Sequence, residues 1–351
     1  MAYTNIDDPS AYFHTQLYTG TGSSHSVTND ANAGNFKPDW VWIKERSSSG
    51  GHKLYDSTRG VQKTLQTQST GAETTTAQGL TAFNTDGFTV GSDGGHNQNN
   101  ATYVAWQWKC NDGTTSTNTD GSVNTTVQAN TDAGFNIVGY TCPDPITNFT
   151  IGHGLGVTPD MFIIKTRNGS RNWAVYHKSL TPPPGKRNLR LNQTNGEATE
   201  STFFANIDPT SSVIQLGQNA AVNYQGHNYI AYCFAEKQGY SKFGKYVGNG
   251  NDNGTFVYTG FKPAVIILKR TDSARNWNII TGKTSENVID LRLNPNDSAA
   301  EYTGTATDFL SNGFKLRNTN ASANASGGTY IYMAFAENPF TTSTGVPCTA
   351  R

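Results

Sequence analysis

With 351 residues, 26 basic against 26 acidic side chains and 15% charged residues overall, the chain offers no basic field for nucleic acid or an anionic membrane. Its polar surface comes from Asn, Thr, Ser, Gly and Gln, a neutral composition common in extracellular β proteins and fibres. No apolar run approaches the 18 or so residues that span a bilayer, so no membrane insertion is expected. Met1-Ala2-Tyr3-Thr4-Asn5 lacks the charged start and apolar stretch of a signal peptide, so export by the general secretory route is not expected either.

Taken in chain order, residues 1–10 read as an N-terminal arm that contains the turn-rich Asp7-Asp8-Pro9-Ser10. Residues 11–110 form a first β-repeat. Its signature is Phe36-Lys37-Pro38-Asp39-Trp40-Val41-Trp42-Ile43-Lys44. A proline suits a strand's first position, the apolar run after it is too short for a helix, and the lysine is read as the place where the strand meets water. The repeat ends on Tyr103-Val104-Ala105-Trp106-Gln107-Trp108, whose alternation puts Val104, Trp106 and Trp108 on one face and the small Ala105 on the other. Residues 111–132 are nearly all Asn, Thr, Ser, Gly and Asp and read as a linker, in which Val123 and Val127 suit at most an exposed strand.

Residues 133–238 repeat the pattern with Pro159-Asp160-Met161-Phe162-Ile163-Ile164-Lys165 and Tyr229-Ile230-Ala231-Tyr232-Cys233-Phe234. Residues 239–340 repeat it again with Pro263-Ala264-Val265-Ile266-Ile267-Leu268-Lys269 and Tyr330-Ile331-Tyr332-Met333-Ala334-Phe335. From proline to closing tyrosine the spacing is 65, 70 and 67 residues. Trp173 and Trp277 stand fourteen places after their prolines, and His52 holds that place in the first copy. Residues 341–351 form a tail without pattern. No helical period is sustained, so the expected class is all-β, three tandem antiparallel β-sandwich-like repeats, with a closed barrel as the alternative. Each copy is long enough to bury a core of its own and is expected to fold separately.

Several of these stretches resemble one family. Leu17-Tyr18-Thr19-Gly20, Pro38 to Lys44, Tyr55-Asp56-Ser57-Thr58-Arg59-Gly60, Gly152-His153-Gly154-Leu155-Gly156, Ser311-Asn312-Gly313-Phe314 and the run from Tyr330 to Phe340 are similar to repeat-containing virion proteins of marine and aquatic tailed bacteriophages. That resemblance runs from about Asp7 to the C-terminus. It implies a non-enzymatic structural protein of the phage particle, with other virion proteins as partners and no cofactor. A tail fibre or adhesin that contacts the host surface is the first expectation, a capsid decoration protein the second, and a tail-associated polysaccharide depolymerase the third.

The residues themselves add little catalytic chemistry. His14, His25, His52, His96, His153, His177 and His227 show no metal-ligand spacing, and His52 and His177 are read as hydrogen-bonded surface residues. Cys110, Cys142, Cys233 and Cys348 form no CxxC pair, and Cys233 reads as a buried thiol. Asp56 and Arg59 read as a turn fixed by the aspartate side chain. Asp144, Asp252 and Asp272 lie in loops without EF-hand spacing. No metal site is therefore expected. For a host glycan the candidates are Asn251, Asp252, Asn320 and Asn324, in the two Asn-rich loops of the third copy, with Trp173 and Trp277 as aromatic platforms if they are not packing residues. A homo-oligomer, with a trimer favoured, is expected through Asp7, Asp8, Trp40 and Trp42, because the first copy is the one enriched in tryptophan.

Overall fold

The protein is almost entirely antiparallel β structure in a computed structural model that describes residues 2–30 and 36–348; the first residue of the arm and the last three of the tail lie outside it. One strand order occurs three times. In the first unit it runs Phe13–Thr19, Thr102–Trp108, Trp40–Glu45, Lys53–Asp56. In the second it runs Phe135–Thr141, Asn228–Phe234, Met161–Thr166, Ala174–His177. In the third it runs Ser241–Val247, Thr329–Pro339, Phe261–Arg270, Asn278–Thr281. Each such inner sheet is backed by a small outer one, formed around Phe88–Val90, Val213–Leu216 and Gly313–Leu316 respectively. The expected sandwiches are therefore present. The stretch read as a linker is not free, because Ser116–Asn118 and Thr125–Asn130 extend the second unit's inner sheet.

The alternation read from the closing strands sorts the core. Ala105, Ala231 and Ala334 face the outer sheets, and each unit closes a separate apolar cluster there. Trp106, Tyr232 and Met333 face the other way, into one cluster that draws on all three units. Cores that were expected to be separate are thus joined on their inner faces. Trp40 sits within this shared core, its ring centroid 4.3 Å from Trp108, 4.7 Å from Tyr232 and 5.6 Å from Phe135. Phe335 reaches it from the third unit, 5.5 Å from Trp108 and 6.1 Å from Phe234.

The seams repeat in a cycle. Trp173 of the second unit donates its indole N–H to Gln66 O of the first at 3.1 Å, Trp277 of the third donates to Arg190 O of the second at 3.1 Å, and His52 Nε2 of the first meets Asn294 O of the third at 2.8 Å. Backbone bonds follow the same order, from Glu73 N to Arg167 O, Glu197 N to Thr271 O and Glu301 N to Arg46 O. A deeper ring joins Tyr232 OH to Asp56 Oδ2, His177 Nε2 to Tyr332 O, and Trp106 Nε1 to Thr281 Oγ1. First touches third, third touches second and second touches first: the units form a closed ring with a threefold-like arrangement.

The ring explains the lysines. Lys44, Lys165 and Lys269 do not meet water; all three are buried. Lys165 Nζ donates to Thr70 O across the seam at 2.7 Å and to Arg171 O at 2.8 Å. Lys269 Nζ donates to Thr194 O across the next seam and to Arg275 O, both at 3.0 Å. Each strand ends against a neighbouring unit, so the lysine supplies donors to loop carbonyls that would otherwise be buried unpaired. His52 and His177 were likewise read as surface residues, and both are buried at the seams.

Burial of these groups sets a pH dependence. It pulls the ammonium of Lys165 and of Lys269 down to about 7 and that of Lys44 down to about 8. It pulls the imidazoles of His52 and His177 down to about 3. In the unfolded chain the same groups titrate near about 10.4 and 6.5. Between the folded and unfolded values the unfolded chain holds more protons, so stability rises with pH in both windows. The melting temperature is therefore expected to climb from pH 4 to 6.5 and again from pH 7.5 to 9.5. Calorimetry at fixed ionic strength checks this, and a profile that falls across either window would contradict it.

Candidate functional site

The recognition loops expected on the third unit are held from below by the unit's own aromatic and amide side chains. Tyr246 and Tyr330 stack with centroids 4.9 Å apart, as do Tyr18 with Tyr103 at 4.9 Å and Tyr140 with Tyr229 at 5.1 Å. Their hydroxyls cap loop carbonyls, Tyr246 to Ala323 O at 2.7 Å and Tyr330 to Ala321 O at 2.9 Å. Asn324 ties the two Asn-rich loops together. Its Nδ2 donates to Asn318 O at 2.7 Å, Asn251 O at 2.9 Å and Asn249 Oδ1 at 3.0 Å, while its Oδ1 accepts from Asn249 N at 3.0 Å.

Asn324 is therefore buried, with its amide fully engaged, and cannot also bind a sugar. Sequence reading missed its role, although a signal was present. An asparagine stands six residues before the closing tyrosine in every unit, at Asn97, Asn223 and Asn324, and all three are buried and bond loop carbonyls. Asn324→Ala is expected to cost about 1–3 kcal/mol, since it strands buried loop carbonyls. A melting temperature equal to that of the parent protein would contradict it.

The other candidates separate into exposed and buried sets. Asn251 and Asp252 are exposed at the loop tip, where Asn251 Oδ1 accepts from Asn253 N at 2.8 Å. Asn320 is half-buried, its Oδ1 accepting from Ser322 N at 2.9 Å and its Nδ2 donating to Gly304 O at 2.8 Å. Trp173 and Trp277 are buried in the shared core, so neither offers a face to a sugar. Trp40 and Trp42 are buried there too, and Trp42 donates to His52 Nδ1 at 2.8 Å. These rings join units of one chain and are not an outer surface for a second chain. Asp7 is exposed and accepts from Ser343 N and Oγ, both at 2.6 Å, while Asp8 caps the short 3-10 helix Pro9–Ala11 through Ser10 N at 2.9 Å. Both aspartates thus fasten the chain's own termini.

The turn around Asp56 and Arg59 is held by its side chains, as expected, and more tightly than a surface turn. Arg59 N reaches Asp56 Oδ1 at 2.8 Å, and the guanidinium pairs with Asp56 Oδ2 while also bonding Glu73 at 2.9 Å and Leu54 O at 3.0 Å. Burial alone would lower the affinity of Arg59 for its proton, but Asp56, Tyr232 and Glu73 hold it up.

A cavity of about 530 Å³ lies between the first and third units. Phe13, Ile289 and Phe309 line part of it. His14 and Lys283 converge there on Asp30, His14 Nε2 at 2.7 Å. Thr15 Oγ1 and Ser285 Oγ are buried on its wall without a partner among the described residues. Such a wall suits a hydrated polar molecule. Among the described residues no group of three His, Cys, Asp or Glu is placed to hold a metal ion, and Asp272 is paired with Arg270 at 2.7 Å.

The arrangement defines an all-β protein of three sandwich units closed in a ring. The family described as domain of unknown function (DUF7483) matches residues 8–339, and the chain belongs to that family. The match takes in all three units together. No curated protein and no solved structure matches the chain.

Proposed function

We propose that this chain is a non-enzymatic structural protein of a phage particle, a tail-fibre or adhesin block that contacts the host surface. The observation that supports this best is the closed ring. It repeats one loop cluster three times, each tied down by a buried asparagine and a stacked tyrosine pair. Loops on a rigid β scaffold are where recognition is usually placed. Three copies of such a cluster in one chain multiply weak contacts by raising effective concentration. Asn251, Asp252 and Asn320 are the side chains at the third cluster that remain for a glycan.

Quantifying the protein in purified particles by mass spectrometry, together with imaging of labelled particles, tests the reading. A few to some tens of copies at the tail supports it. Hundreds of copies over the shell would overturn it in favour of capsid decoration. Release of reducing sugar from host polysaccharide by the purified chain would overturn its non-enzymatic part.

A further inference from the structure

The outer sheets differ at one edge: among the described residues the first and third units leave it unpaired, at His25–Val27 and Phe256–Tyr258, and the second covers it. In the second unit the edge strand Phe149–Gly152 is covered by the chain itself: Val123 N donates to Thr150 O at 3.1 Å, and Thr125 Oγ1 donates to Gly152 O at 2.9 Å. In the third unit the corresponding strand, Phe256–Tyr258, pairs with Gly313–Leu316 on one side and with no described segment on the other. Leu316 N bonds Thr255 O and Thr259 N bonds Asn312 O, so residues 255 and 259 turn their backbone inward. By strand alternation, the N–H and C=O of Phe256 and Tyr258 then point to the open side.

The side chains at this edge differ as well. Pairing registers make Phe256 the counterpart of Ser26 and Thr150, and Tyr258 the counterpart of Gly152. They also make Val247 the counterpart of Thr19 and Thr141. Where two units carry small or hydroxyl residues, the third carries large apolar ones, with Val247 55% exposed, Phe256 43% and Tyr258 55%. An uncapped edge strand with exposed rings is the kind of surface that soluble proteins normally blunt.

We propose that this edge is a self-association surface, at which the strand of one copy pairs antiparallel with the same strand of a second copy. The occupant follows from the sequence of the edge. Thr255-Phe256-Val257-Tyr258-Thr259 reads almost the same chemically in both directions and carries no charge. Antiparallel pairing about Val257 sets Phe256 opposite Tyr258 of the second copy, and the reverse. Those pairs are the hydrogen-bonding ones, each exchanging both main-chain bonds, with an aromatic cross-strand contact above each. Two copies thereby satisfy every open backbone group of the strand. The inference is independent of the virion reading, since it predicts a twofold pair of rings wherever the protein acts.

The test is sedimentation of the full chain over a concentration series, beside Phe256→Lys/Tyr258→Lys and a cross-linking pair. The parent chain is expected to dimerise. The double lysine variant, which sets like charges opposite one another, is expected to stay monomeric with an unchanged melting temperature. In a Cys348→Ser background, Phe256→Cys chains mixed with Tyr258→Cys chains should form a disulfide-linked dimer under mild oxidation, and neither variant alone should do so. A parent chain that is monomeric throughout would overturn the proposal and leave the edge to a strand of a different protein. So would a lysine variant that dimerises like the parent, or a dimer in which the mixed cysteines fail to cross-link.

Discussion

The segment 239–340, produced alone, is expected to show no cooperative melting transition as a monomer. Its outer cluster around Phe309, Phe314 and Leu316 is self-contained. Its inner face is not. Tyr240, Phe243, Val265, Ile267, Trp277, Ile279, Met333 and Phe335 are buried in the intact chain only because the first and second units lie against them. At about 25 cal/mol per Å² of apolar surface, leaving that face in water withdraws a contribution comparable with the whole stability of a small domain, about 5–15 kcal/mol. The expected product is a fluctuating or aggregating species that binds a hydrophobic dye, or one that rebuilds a ring from three copies of itself. A fragment that melts sharply as a monomer would show that the shared core is dispensable.

Asp56→Ala is expected to destabilise the full chain by about 3–5 kcal/mol, because it leaves a buried guanidinium without its main partner. Arg59 and Asp56 both have side chains with no solvent exposure, and Tyr232 donates to Asp56 at 2.7 Å from the neighbouring unit. Removing both charges should hurt less than removing one. Asp56→Ala combined with Arg59→Met is expected to recover a substantial part of the loss, since no uncompensated charge is then buried. Denaturant melts of the two single variants and the double variant give the coupling. An Asp56→Ala protein within about 1 kcal/mol of the parent, below the usual cost of stranding a buried polar group, would show that water reaches the turn.

Much of this architecture was legible in the sequence. The period of two in the first closing strand put Val104, Trp106 and Trp108 on one face, and all three lie in the shared core. Periodicity reports that a face is covered; it does not report by what. The same gap produced the error over the lysines. In an isolated sandwich a lysine after an apolar run emerges into water, whereas here Lys165 and Lys269 run into the next unit's loops. The polar neighbours Arg171-Asn172 and Arg275-Asn276 left a sugar platform open beside a packing role for Trp173 and Trp277; these neighbours belong to the turn, while the indoles cross the seam. Asn324 was read by its loop composition when its fixed spacing before Tyr330 carried the information. At the recognition loops the sequence located exposed polar tips at Asn251 and Asp252, and the chemistry of what they meet is not written in strand periodicity at all.

The seams are fastened differently. Arg46 is paired with Glu301 at 2.7 Å and Arg167 with Glu73 at 2.9 Å, each bridging two units. At the third seam the arginine's place is taken by Thr271, Glu197 accepts from Thr181 N at 3.1 Å within its own unit, and the bridging ion pair is instead Lys242 with Glu236, where the chain passes from the second unit to the third. A cleft lined by Arg190, Glu197 and Thr271 runs along that joint. A closed ring that is pulled or warmed parts first at its least-fastened joint. This one is a bracelet threaded on its own backbone, which passes from the first unit to the second and from the second to the third. The joint between first and third is therefore the clasp, and its first opening should part those two while the second unit serves as the hinge plate for both.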